Sequence, residues 1–92
     1  MKETRNKGRE IFINLLKDIF KRRLGDKVIY SLDHNPINPS IRFSYGIYAL
    51  CRIFLGEKRK LQIFRKNFEG INISFKKDLI ELFSFLSFEI EQ

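Results

Sequence analysis

The stretch RIFLGEKRKLQIFRK, residues 52–66, gathers the side chains best able to hold an anion. It contains Arg52, Lys58, Arg59, Lys60, Arg65 and Lys66 against the single acid Glu57. Six cations less one acid give +5, most of the chain's net +7. Gly56-Glu57-Lys58 is a turn signal between two apolar runs, so the stretch reads as a β-hairpin with a charged tip. Cations spaced along such a ribbon suit the repeated phosphates of a nucleic acid, where each one neutralises a phosphate and releases condensed counterions. Arg42 extends the set. Tyr48, Phe54 and Phe64 lie among these charges, and an aromatic ring beside a cation is a platform for an unpaired base, a route to RNA recognition. The plainer alternative is that a charged hairpin tip keeps a sheet edge soluble and that a strand Phe belongs to the core.

Other chemistry finds few carriers. Asp33-His34-Asn35 places a carboxylate beside an imidazole, but neighbouring strand residues point to opposite faces and no third group is identifiable. Cys51 sits inside an apolar alternation and reads as a small core residue. A Gly-rich phosphate loop, paired carboxylates at metal-ligand spacing and a Ser/His/Asp set are all missing from the sequence. The expectation is a protein that is not an enzyme, with no catalytic residues, no metal and no cofactor.

Composition sets the frame for these residues. A chain of 92 residues makes one small domain, expected over 1–92, which folded alone buries about two thirds of its unfolded surface. Ten Phe and 43% apolar residues are a generous supply for that core, so part of it can cover a partner. No run of 18 or more apolar residues offers a membrane span. The segment MKETRNKGRE lacks the apolar stretch of a signal peptide, and a lone cysteine fits a reducing compartment, so a cytoplasmic protein is expected.

The elements that must position the basic stretch follow from periodicity. Ile11, Leu15 and Ile19, with Phe12, Leu16, Phe20 and Leu24, recur at helical spacing and predict a helix over about 5–24. Lys21, Arg22 and Arg23 close its last turn, where cations favour the helix dipole, and Gly25 stops it. The period then changes to two: 27–33 reads as a strand and HNPINPS, 34–40, as a loop. From Ile41 the odd positions are apolar through Ile53, too long a run for one strand, with Gly46 marking a bulge, a bend or the true strand start. A third strand is expected from Lys60 to Asn67; Leu61 and Ile63 favour the core, which leaves Lys60, Gln62, Phe64 and Lys66 outward unless a bulge near the turn reverses the faces. INISF at 71–75 alternates like a strand, whereas Phe75, Leu79, Leu82, Phe83 and Leu86 predict a helix over about 75–89 with Ser74 as its N-cap. The tail LSFEIEQ could alternate instead as a short terminal strand.

The expected fold is therefore α+β, in the order α-β-β-β-α, with a three-stranded antiparallel sheet and two helices packed on one face. EIFINLLKDIFKRRLGDKVIYSLDH resembles the opening helix and first strand of the small Alu-domain proteins of the signal recognition particle. YALCRIFLGEKRKLQIFRKNFEGINISFKKDLIELFSFL is similar to their following hairpin and closing helix. That resemblance implies a basic sheet face that contacts structured RNA within a ribonucleoprotein, and a homo- or heterodimer with a like-folded subunit. The chain departs from the family in its 34–40 loop, which has no Lys or Arg, and in its acidic tail SFEIEQ. The competing expectation is a protein-interaction subunit without nucleic-acid contact, docking through Phe83, Phe85, Leu86, Phe88 and an open sheet edge.

Overall fold

The computed structural model describes residues 2–92, with side chains from Lys7 onward. The chain runs α1 (Lys2–Leu24), β1 (Val28–Asp33), β2 (Ser40–Tyr45), β3 (Tyr48–Phe54), β4 (Lys60–Ile63), α2 (Arg65–Phe85) and β5 (Glu89–Glu91). The α+β class holds. The expected three-stranded antiparallel sheet does not, because the sheet has five strands in the order β1-β2-β3-β4-β5 and is mixed. β1 to β4 pair antiparallel, and β5 joins β4 in parallel.

The first added strand comes from the long alternating run. Gly46, at φ +58, takes the left-handed backbone that a tight turn needs and that a side chain disfavours. It folds the run back so that Tyr45 pairs with Tyr48. The register shifts between Phe43 and Ser44, leaving Leu50 as the extra residue of a bulge, fully buried. The second added strand is the tail. Phe88 donates its amide to Phe83 and Ser87 donates to Ser84, which ends α2 with Ser87 in the left-handed region at φ 65. The chain then pairs Lys60 with Glu89, Leu61 with Ile90 and Gln62 with Glu91.

β4 ends at Ile63, not at Asn67, so Arg65 and Lys66 lie on helix instead of strand. Phe64 donates its amide to Leu50 and accepts one from Phe68, which closes the ladder and opens the helix in consecutive steps. α2 begins far earlier than the 75–89 expectation because Phe68 and Phe75, either side of Asn72, are both buried in the core. Asn72 has an extended backbone within α2, and its Oδ1 accepts the Phe75 amide at 2.9 Å. Asn72 therefore caps the second half of α2 in place of Ser74. The buried Lys76 amine reaches back across this kink to Glu69 at 2.6 Å, satisfying a charge that burial would otherwise penalise.

Both helices cover one face of the sheet. Phe20 of α1 stacks on Phe43 of β2 at 3.8 Å and meets Phe75 of α2 edge-on at 4.9 Å. Leu16, Ile41, Cys51, Ile53, Leu61, Ile63, Phe68, Leu79 and Phe83 complete the same core. On α1 the row of Ile11 and Leu15, expected with the apolar face, is 60% and 54% exposed. The opposite sheet face has no helix over it.

Candidate nucleic-acid interface

The open face is defined by register, since residues paired across strands share a side. One row reads Ser31, Arg42, Arg52, Gln62 and Glu91 from β1 to β5. The next reads Asp33, Ser40, Phe54, Lys60 and Glu89. Arg42 and Arg52 stand directly opposite each other on neighbouring strands. The Leu55 amide bonds to the Pro39 carbonyl, which fixes the phase of the β2–β3 ladder and makes Arg42–Arg52 a pair without mutual backbone hydrogen bonds. Side chains approach most closely in pairs of that kind. Neither arginine has a carboxylate within ion-pair distance among the described residues. Arg52 Nε is shielded from solvent and has no protein acceptor.

Phe54 lies between two cations. The Arg52 guanidinium carbon is 6.0 Å and the Lys60 ammonium 5.5 Å from its ring centroid. The ring is half-buried, so the centre of the face combines positive charge with an accessible aromatic surface. The β5 margin is acidic. Lys60 Nζ donates to Glu91 Oε1 at 3.0 Å and Gln62 Nε2 donates to Glu91 Oε2 at 2.8 Å. The Lys60 hydrogen bond, then the Gln62 hydrogen bond and the Lys60 charge, hold the Glu91 carboxyl below its ordinary value.

The six basic residues singled out from sequence are dispersed. Arg52 and Lys60 sit on the open face as alternation required, with Gln62 beside them and Leu61 and Ile63 in the core. Lys58 and Arg59 are exposed in the loop between β3 and β4, and the Arg59 guanidinium lies 5.4 Å over the Phe88 ring. Arg65 and Lys66 start α2. Arg65 is drawn into an i,i+4 pair with Glu69 at 3.2 Å, and both line a recess with Phe64, Asn67 and Gln92 beyond the end of β4. Arg42, outside the six, proves to be the partner of Arg52. Its signal was the shared even-numbered parity of 42 and 52 within one alternating run, which a hairpin at Gly46 turns into a facing pair.

The remaining candidates take structural places. Cys51 is fully buried, and burial pushes its thiol far above the usual range, so it stays protonated and packs as a hydrophobe. Asp33 accepts the Asn35 amide at 3.2 Å, forming a turn in the loop that carries the exposed His34. Among the described residues no group of three His, Cys, Asp or Glu could hold a metal, and no helix is long and apolar enough to cross a membrane. Phe83 and Phe88 belong to this chain's own core, leaving Phe85, 83% exposed, as the outward aromatic of the closing segment. Comparison with protein-family models, with curated proteins and with solved structures finds no match to this chain.

Proposed function

We propose that this protein binds the phosphate backbone of structured RNA on the open face of its sheet, as a small subunit of a ribonucleoprotein. The observation that carries the reading is the Arg42–Arg52 pair, two like charges set opposite each other without a carboxylate among the described residues to neutralise them. Like charges directly opposite destabilise a sheet, and an anionic ligand turns that cost into attraction. Lys58 and Arg59 extend the field along the adjoining hairpin, and Lys60 joins it when Glu91 yields. Phe54, flanked by cations, supplies a stacking surface for an unpaired base. Structured RNA is also what the Alu-domain resemblance implies, and the lone cysteine fits a cytoplasmic setting. RNA is preferred to duplex DNA because, among the described residues, the exposed cations of α1 share their surface with Glu10, Asp18, Ile11 and Leu15, and Arg22 and Arg23 are paired with Asp18 and Asp78, which leaves no uniformly basic helix face for a major groove.

A second reading, a dimerisation or interaction subunit, is favoured by the free edge of β1. Ile29, Tyr30 and Leu32 are exposed there, and an unpaired apolar strand edge is a template for another chain. Salt separates the two. Anisotropy titrations with structured RNA, single-stranded RNA and duplex DNA at about 50 and 200 mM salt should show tightest binding to structured RNA. That binding should weaken by orders of magnitude at the higher salt. Weak binding to all three, with a salt-indifferent dimer by light scattering, would replace the RNA reading with the second one.

A further inference from the structure

A groove of about 790 Å³ opens at one end of the molecule, away from the Arg42–Arg52 pair. It is assembled from four separate parts of the chain. α1 contributes Arg9 and Phe12, the β1–β2 loop Pro36, Ile37 and Pro39, the β3–β4 loop Leu55, Gly56, Glu57 and Arg59, and the segment after α2 Leu86 and Phe88. Its size falls within the range of small-molecule sites, about 300–1,000 Å³. Seven of its eleven lining residues are Phe, Leu, Ile or Pro, and its charged groups are Arg9, Arg59 and Glu57.

We infer that this groove is a binding site for a small amphipathic carboxylate, a medium-chain aliphatic acid. The lining offers an alkyl chain the half-buried Phe12, Leu55 and Leu86 over a floor formed by the largely buried Phe88. The charge is complementary at the rim. Arg9 and Arg59 have no ion-pair partner among the described residues, and Arg59 is held over the floor by its position above the Phe88 ring. A guanidinium forks onto a carboxylate in two parallel hydrogen bonds, which a cationic or neutral head group cannot accept in the same way. Two arginines against the single carboxylate of Glu57 leave the lining with a net positive charge. The occupant is a free small molecule, because the volume suits one and none of the lining residues lies in a strand whose edge could pair with a peptide.

The test is an ¹⁵N chemical-shift titration of the full chain with decanoate and decyltrimethylammonium below their micelle concentrations and decanol below its solubility limit. Decanoate should saturate one site, with shifts confined to the groove residues. Shortening the chain should weaken binding roughly three- to fourfold per methylene. Decanoate should exceed decyltrimethylammonium by about tenfold, and Arg59→Gln should remove that margin. Ile37→Glu, at a rim residue 81% exposed and therefore safe for folding, should weaken decanoate by at least tenfold. Ile47→Glu, at a hairpin tip 90% exposed and outside the groove, should change nothing. Equal binding of the three amphiphiles, or decanoate shifts centred on the exposed Phe85 instead of the groove, would overturn the assignment.

Discussion

Replacing Arg42 and Arg52 together by Gln should move stability and RNA affinity in opposite directions. The two arginines are paired across β2 and β3 with no carboxylate within ion-pair distance among the described residues. A cross-strand pair is worth roughly 0.2–1 kcal/mol in either direction. Arg42 is exposed, so solvent screening places the relief in the lower half of that range, about 0.2–0.5 kcal/mol. At about 4–8 °C per kcal/mol for a domain of this size, the double variant should melt roughly 1–4 °C higher in low salt. The gain should shrink as the Debye length falls below about 10 Å. Binding should respond the other way. Each lost phosphate contact lowers the slope of log affinity against log salt by about 0.7–0.9, so the double variant should lose roughly 1.4–1.8. Its deficit should therefore be close to tenfold larger at about 50 mM than at about 200 mM salt. Scanning calorimetry and anisotropy on the same preparations read both quantities. Arg22→Gln, on α1 and paired with Asp18, serves as the control that should leave the slope unchanged. A double variant that melts lower than the parent, with an unaltered salt slope, would show that the arginines are part of the framework and refute the reasoning.

Four further outcomes follow from packing and charge. Phe83→Ala should cost about 3–5 kcal/mol and Phe85→Ala less than about 0.5 by urea denaturation, because the first is fully buried and the second 83% exposed. Gly56→Ala should destabilise by roughly 1–3 kcal/mol, since an added Cβ would lie 2.6 Å from Asn38 Oδ1 and 2.8 Å from the Ile37 carbonyl. The same urea series would detect a neutral result, which would mean that the loop yields freely. Ser87→Gly should raise the melting free energy by about 0.5–1 kcal/mol by removing a side chain from a left-handed backbone. Finally, Glu69, held low chiefly by its hydrogen bond from Lys76, and Glu91, held low chiefly by that from Lys60, have folded-state values below the ordinary 4.5. The folded chain thus binds fewer protons than the unfolded one near pH 4. Their stabilisation should be complete above about 4.5 and lost as pH falls through the lowered values. Urea midpoints taken from about pH 6 down to pH 3 should show that loss, and Glu91→Gln should flatten part of it.

Alternation and helical period marked the apolar sides of regular elements, because each period is a local property of backbone geometry. The parity of Lys60, Leu61, Gln62 and Ile63 pointed to the face that is buried, whereas on α1 the period ran through both the Ile11–Leu15 row and the Leu16–Phe20 row, and only packing chose the second. The charge of the 52–66 stretch was equally legible, since composition needs no fold. The partner of each residue was not. Leu82 and Phe83 share the helical stripe in sequence, yet only Phe83 enters the core, where it meets Phe12 of α1. Arg65 and Lys66 read as strand, but the burial of Phe68 by elements distant in sequence turned them into helix. Arg42 and Arg52 became a facing pair only when the turn at Gly46 closed β2 onto β3, and Glu91 met Lys60 only when the tail added to the sheet in parallel. Local sequence determines the direction of a side chain within its own element. What stands opposite it is decided by turns and long-range burial, which only the tertiary structure brings together.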